Sequence, residues 1–142
     1  MRFIVLSRLQ ALSLDLRERH AVISIREPGS DMPQIPSNDF CRGILRLSFH
    51  DRDRLDTPET ELFTAEHARR ILGFVDGIHG TIDALVVHCE AGISRSAAVA
   101  AALSRALFGE DRFFFDHYAP NRLVYATLLR ACEERRAQPS QR

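Results

Sequence analysis

Short apolar segments alternate along the chain with longer segments in which apolar residues recur every three or four positions. Four of the short segments have the length of strands, and they lie at residues 3–6, 21–25, 44–49 and 84–88. The last of them is apolar and rich in β-branched residues, which is typical of a central strand buried on both faces. Residues 44–49 alternate between apolar and polar positions, and we interpret residues 3–6 as an edge strand.

The longer segments predict three helices and a fourth, short one. The first helix begins after Thr64, a residue type suited to the N-cap, and Gly80 is expected to end it. Its buried face has five members, which are Ala68, Ile71, Leu72, Val75 and Ile78. An alanine-rich helix is predicted over residues 94–107, and another from about 121 to 136, with Asn121 as its N-cap. Residues 111–117 predict the short helix.

Strands that alternate with helices predict an α/β fold, a single domain with a mostly parallel central sheet of about four strands flanked by helices. The 142 residues match the size of one domain. We expect that domain to cover residues 1–137 and to be followed by a disordered tail at residues 138–142. Sites in such sheets form at the carboxyl ends of the strands. The chemistry is therefore expected just after Ile25, Phe49 or His88.

Charge and hydropathy argue against several classes of partner. Nineteen basic and nineteen acidic residues cancel at neutral pH, so the overall charge gives no reason to expect nucleic acid or an anionic membrane as a partner. No apolar run approaches the roughly 20 residues that span a bilayer. The apolar run at the N-terminus is soon followed by Arg8 and is too short for a signal peptide. We therefore expect a cytoplasmic protein.

The three cysteines, Cys41, Cys89 and Cys132, are too few and too far apart for a disulfide framework. There is no C-x-x-C pair, and adjacent His88 and Cys89 point to opposite faces of a strand, so a zinc site is not expected either. Cys132 lies on the apolar face of the last predicted helix and is interpreted as a core residue.

Cys89 differs from the other two cysteines in its position along the chain. It comes directly after the predicted central strand, and Arg95 begins an alanine-rich helix six positions later. Gly92 lets the backbone turn tightly between them. The backbone amides of this turn can then converge, together with the helix N-terminus, on a tetrahedral phosphate. The amides in question belong to Glu90, Ala91, Gly92, Ile93, Ser94 and Arg95.

The side chains of the same turn are expected to bind the phosphate and to activate the cysteine. Arg95 can donate two parallel hydrogen bonds to phosphate oxygens, and the positive field favours the thiolate of Cys89, which makes it a nucleophile. Ser96 can donate a hydrogen bond to that sulfur. His88 is expected to support the loop through backbone hydrogen bonds, and His50 is interpreted as a surface residue.

The sequence His-Cys-x-x-Gly-x-x-Arg-Ser at residues 88–96 resembles the signature of the cysteine-based protein tyrosine phosphatase superfamily, in the form of its dual-specificity branch. Residues 21–28, 49–51 and 120–125 look like small bacterial members, so the resemblance covers most of the chain. It implies that residues 1–137 form a catalytic domain that hydrolyses phosphotyrosine through a phosphocysteine intermediate, with phosphoserine and phosphothreonine left open as further substrates. The substrate would be a phosphorylated protein or a small phosphoester.

The resemblance also implies a set of ligands and a general acid. Phosphate, sulfate and vanadate should bind, and no cofactor or metal is expected, because Arg95 and the amides neutralise the phosphate. The acid is usually an aspartate upstream of the cysteine. Asp51, Asp53 and Asp56 are candidates. We favour Asp51 because it directly follows a predicted strand, with Asp53 as the alternative. The chain has no tryptophan, so it lacks the Trp-Pro-Asp motif of the large receptor-like tyrosine phosphatases.

Two other functions are considered for the same loop. One is a catalytically silent module that binds phosphate or a phosphoprotein, although such proteins usually lack the cysteine or the arginine. The other is a rhodanese-like sulfurtransferase, whose loop is usually shorter than the one from Cys89 to Arg95. Glu90 and the absence of lysine from the loop disfavour highly phosphorylated lipids through charge repulsion.

Overall fold

The structure is a computed structural model that describes residues 1–52 and 61–137. Within these ranges the chain forms four strands: β1 (Arg2–Leu6), β2 (His20–Arg26), β3 (Cys41–Ser48) and β4 (Ala84–His88). It also forms five helices: α1 (Arg8–Ala11), α2 (Ala65–Ile78), α3 (Arg95–Phe108), α4 (Arg112–His117) and α5 (Arg122–Ala137). The tail predicted to be disordered, residues 138–142, lies outside the described residues.

The four strands form one sheet in the order β1-β4-β2-β3, and every neighbouring pair is parallel. β4 lies between β1 and β2, and all five of its residues are buried. Its continuous apolar sequence follows from this position, because helices or loops cover both faces of a central parallel strand. The predicted α/β fold, the central position of β4 and the edge position of β1 are all confirmed.

Helices α2, α3 and α5 pack on one face of the sheet, where Ile23, Leu85 and Val87 enter the main core. Residues 97–102 of α3 are completely buried, and five of these six are alanine. Small side chains let this helix lie close to β1 and β4 while α5 packs on its other side. On the opposite face, Val22 and Val86 are covered by Ile35 and by partly buried leucines of residues 14–16.

The N-termini of α2 and α5 agree with the sequence, and the C-terminus of α2 does not. The side chain of Thr64 accepts a hydrogen bond from the amide of His67 at the start of α2, and that of Asn121 accepts one from Val124 at the start of α5. The prediction that Gly80 ends α2 was wrong. The helix ends at Ile78 and passes into a 3₁₀ turn at His79–Thr81, so no left-handed glycine is needed there. The four-residue α1 is too short to produce a recognisable period and was missed.

Candidate active site

The loop from Cys89 to Arg95, here called the Cys89 loop, joins the end of β4 to the start of α3. Two backbone hydrogen bonds attach it to the neighbouring β1–α1 connection. The amide of Cys89 donates to the carbonyl oxygen of Leu6 at 3.3 Å, and the amide of Arg8 donates to that of Glu90 at 3.1 Å. The start of the loop is therefore fixed by the adjacent edge strand as well as by β4.

In the Cys89 loop, several carbonyl groups are hydrogen-bonded to the described residues of the protein, but most of the amides are not. The carbonyl oxygen of Ile93 accepts from the amide of Ala119 at 3.1 Å, and that of Ser94 accepts from the amide of Asn121 at 3.1 Å. Within the described ranges, none of the amides of residues 90–95 donates a hydrogen bond to the protein. Since backbone donors are normally paired, this row of donors has the character of an anion site.

Gly92 determines the path of the loop. Its φ is 71°, in the left-handed region. A Cβ atom at this position would lie 2.6 Å from both the carbonyl carbon of Leu6 and the amide nitrogen of Ser7. The contact is with rigid backbone, so a side chain could fit only if the loop or β1 moved. The glycine therefore allows the loop to lie directly against the end of β1.

The thiol of Cys89 lies beside a hydroxyl donor. Its Sγ atom is 3.1 Å from the Oγ atom of Ser96, and both residues are buried. His88 is also buried, with its Nε2 2.6 Å from the Oγ of Ser24 and its Nδ1 3.3 Å from the carbonyl oxygen of Cys89. Burial lowers the pKa of His88, and the nearby charges of Arg8 and Arg46 lower it further. The bond to the Ser24 side chain was not foreseen from the sequence.

Arg95, the last residue of the Cys89 loop, is buried, with 3% of its side chain exposed. Its Nη1 atom donates to the carbonyl oxygen of Phe49 at 2.9 Å and lies 2.9 Å from Oε1 of Glu27. Its Nε atom is buried and has no hydrogen-bond partner among the described residues. A buried donor without an acceptor is costly. A ligand that accepted from this edge of the guanidinium would remove that cost.

His50 is not the surface residue that the sequence suggested. Its Nδ1 lies 2.8 Å from Oε2 of Glu27, and its Nε2 lies 2.9 Å from Oε2 of Glu61. Its backbone amide also donates to the carbonyl oxygen of Glu61 at 2.6 Å. Glu27 and His50 each come just after a parallel strand, as Cys89 does. The rule that sites form at strand ends already covers the positions of Glu27 and His50, but it does not pair the two side chains.

Asp51 contacts the Cys89 loop near its C-terminal end, at Ser94. Its Oδ1 atom accepts hydrogen bonds from the Oγ of Ser94 at 2.7 Å and from the Nδ2 of Asn121 at 2.9 Å. Asn121 is buried and so links α5, the loop and Asp51. Asp53 and Asp56, the other candidates for the acid, lie outside the described residues.

Comparison of the sequence with protein-family models and with curated proteins gives no match. Solved structures do match. Human DUSP28 aligns with a TM-score of 0.58 over 96% of this chain and 95% of that one, at 18% identity. PTPMT1 in complex with PI(5)P aligns with a TM-score of 0.57 over 91% and 86%, at 18% identity. The human tyrosine phosphatase-like serine/threonine/tyrosine-interacting protein aligns with a TM-score of 0.50 over 82% and 76%, at 24% identity.

The chain has the fold of the cysteine-based dual-specificity phosphatases. This agrees with the resemblance drawn from residues 88–96, which rested on sequence alone. In this phosphatase fold the Cys89 loop, Glu27 and His50 lie at one edge of the sheet, because all four strands run in the same direction.

A groove elsewhere on the phosphatase fold is separate from the Cys89 loop, Glu27 and His50. This groove of about 430 Å³ lies between α2 and α5, and its lining includes Arg69, Leu72 and Arg135 but no residue of the Cys89 loop. Within residues 1–52 and 61–137, no three side chains of His, Cys, Asp or Glu are grouped so that they could hold a metal ion. None of the helices in the part of the chain that the structure describes is long and apolar enough to cross a membrane.

Proposed function

We propose that this protein is a cysteine-dependent phosphatase that hydrolyses phosphotyrosine, and also phosphoserine or phosphothreonine, through a phosphocysteine intermediate. The observation that carries the proposal is the arrangement around Cys89. Its sulfur lies 3.1 Å from the hydroxyl of Ser96, in a loop where the amides of residues 90–95 have no acceptor among the described residues and where buried Arg95 has an unpaired Nε. A nucleophile and preorganised donors for a developing negative charge are thus combined in one loop.

The reaction proceeds in two displacements. The thiolate of Cys89 attacks phosphorus, the bond to the alcohol oxygen breaks, and that oxygen takes a proton from the general acid. Water then attacks the phosphocysteine, the same carboxylate accepts a proton from that water, and inorganic phosphate leaves. Ser96 donates to the sulfur when it departs. Two donors hold Oδ1 of Asp51, which leaves Oδ2 to carry the transferred proton.

Charge near the loop supports a phosphoprotein or a small phosphoester as the substrate. Glu90 is exposed next to the nucleophile, and the loop contains no lysine. A substrate with several phosphates would be repelled by this carboxylate without a compensating ammonium group. Since PTPMT1 was solved with PI(5)P, a monophosphorylated inositol lipid serves as a comparison substrate in the test of this function.

A silent phosphate-binding module is the second candidate function, because one structural neighbour is named as phosphatase-like and interacting. The presence of Cys89, Arg95 and Ser96 together favours catalysis over binding alone. The two functions differ in one measurable property, which is turnover by a protein that binds oxyanions.

The test compares the natural protein with two variants, using p-nitrophenyl phosphate, a phosphotyrosine peptide and PI(5)P. Cys89→Ser should abolish turnover yet keep vanadate or phosphate binding, because the amides and Arg95 remain. Arg95→Ala should weaken oxyanion binding and lower kcat/KM by about 10²-fold or more, as loss of a charge-stabilising donor does. Activity should persist in the presence of a chelator.

The matched control is Cys132→Ser, which removes a half-buried thiol on α5 and should leave the kinetics unchanged. Turnover that survives Cys89→Ser would contradict the mechanism. Vanadate binding by the natural protein without turnover of any substrate would favour the silent module.

A further inference from the structure

Arg95 is the buried end of a row of four charged or titratable side chains, here called the Arg95 row. Its members are Arg95, Glu27, His50 and Glu61. Glu27 contacts the guanidinium through Oε1 at 2.9 Å and His50 through Oε2 at 2.8 Å. Nε2 of His50 contacts Glu61 at 2.9 Å. The proposed mechanism uses only Arg95 from this row.

The imidazole of His50 connects the two carboxylates of the row. A carboxylate only accepts hydrogen bonds, so His50 is the donor wherever it bonds to Glu27 or Glu61. The imidazole thus lies between the two carboxylates, and Glu27 lies between the imidazole and the guanidinium. Asp51 and Arg52 follow in the chain, and both are exposed.

Each oxygen of Glu27 therefore has its own partner: Oε1 contacts Arg95 and Oε2 contacts His50. A carboxylate held at both oxygens cannot rotate, and this fixes the position of Nη1 of Arg95. Only Arg95 is fully buried, since its side chain is 3% exposed and that of Glu27 is 36% exposed. Without His50, water can reach Oε2 of Glu27, and the carboxylate that orients the buried guanidinium gains freedom to rotate.

We propose that His50 is a positioning residue that holds Glu27, and through it Arg95, in the orientation that binds a phosphoryl group. The inference rests on the proposed function, because it requires the Cys89 loop to bind oxyanions. Glu61 fixes the other side of the imidazole and also accepts from the backbone amide of His50. His50 itself touches neither the sulfur nor the phosphoryl group.

Three variants of His50 test this role through kcat, KM and the inhibition constants of vanadate and inorganic phosphate. His50→Asn keeps an amide donor near the position of Nδ1, which faces Glu27. His50→Gln keeps one near the position of Nε2, which faces Glu61, and His50→Ala keeps neither. Ala and Gln should raise both inhibition constants about tenfold, the effect expected when one hydrogen bond to a charged group is lost. Asn should keep them within about threefold of the natural protein.

The control is His79→Ala, which alters an exposed histidine beyond the end of α2 and should change neither constant. Thermal unfolding of each variant shows whether it is folded, and the Asn and Gln pair still decides the question if the Ala variant does not fold. Equal behaviour of Asn and Gln, or inhibition constants unchanged in all three variants, would overturn the role of His50. A natural protein that neither binds vanadate nor turns over substrate would instead overturn the proposed function.

Discussion

At the scale of single residues, the carboxyl group of Asp51 has two unequal oxygens. Oδ1 accepts from Ser94 and from Asn121, and no hydrogen bond to Oδ2 is formed by the described residues. In the proposed mechanism, Oδ2 is the atom that carries and transfers the proton. The same two contacts orient the carboxyl group relative to the Cys89 loop, so its position does not depend on Asp51 alone.

Asp51→Asn should therefore slow substrates according to their leaving groups. Alkyl phosphates and phosphoserine need a proton on the departing oxygen, and their kcat should fall by about 10²-fold or more, the usual contribution of general acid catalysis. p-Nitrophenyl phosphate should be affected much less, because nitrophenolate leaves without a proton. The measurement is the dependence of kcat on leaving-group basicity. Asp53→Asn is the matched comparison, and if it shows this pattern instead, the acid is Asp53.

At the scale of the elements, the Cys89 loop and the end of β1 act as one unit. The loop is attached to β1 and α1 through the carbonyl oxygens of Leu6 and Glu90, and Gly92 lies directly against this connection. The positions of the amides consequently depend on a strand that is more than 80 residues away in sequence.

Gly92→Ala should damage both activity and stability. The new Cβ would meet backbone at 2.6 Å and impose a left-handed φ on alanine, so the loop and its amides must move. We expect kcat/KM to fall by about 10²-fold or more and the free energy of unfolding to fall by about 1–3 kcal/mol.

Gly109→Ala is the control for Gly92→Ala. Its φ of 76° imposes the same backbone strain, but a Cβ there meets nothing within 4 Å. This variant should lose stability alone, as measured by urea unfolding, and keep its affinity for vanadate. Unchanged vanadate affinity in Gly92→Ala would contradict the packing argument.

The elements also show what the sequence could and could not predict. The position of the Cys89 loop was predictable, because the pattern of a buried strand ends directly before Cys89 and an alanine-rich helical pattern begins near Arg95. The partners of Arg95 were not, since Glu27 is 68 positions away from it and Phe49 is 46 positions away. Periodicity identifies strands and buried faces, but it does not pair one strand with another. The strand order, and with it these contacts, required the structure.

At the scale of the whole molecule, the buried His88 and the half-buried His67 make stability depend on pH. Burial lowers the pKa of His88 and of His67 from the ordinary value of 6.5. Between that value and each lowered pKa, the unfolded chain binds more protons than the folded chain, so acid favours unfolding. The stabilisation is complete above about pH 6.5 and is lost as the pH falls through this window.

Urea unfolding at several pH values between 7.5 and 5 measures this loss. The free energy of unfolding should fall by at most about 1.4 kcal/mol per pH unit for each histidine. His88→Asn removes one titrating group and should flatten the dependence. His117→Asn, which changes an exposed histidine, should leave it as it is. An identical pH dependence in both variants would contradict the assignment to His88.

The strand order has a consequence for the way this chain is synthesised. Translation produces β1, β2 and β3 before β4, yet β4 is the strand that joins β1 to the other two. A nascent chain that has not yet reached residue 84 can pair β2 with β3, while β1 lacks the neighbour it has in the native sheet. The sheet therefore closes only after residue 88 has been synthesised, and Cys89 is the next residue added. Pairing of the early apolar strands is completed only by a strand that is made late.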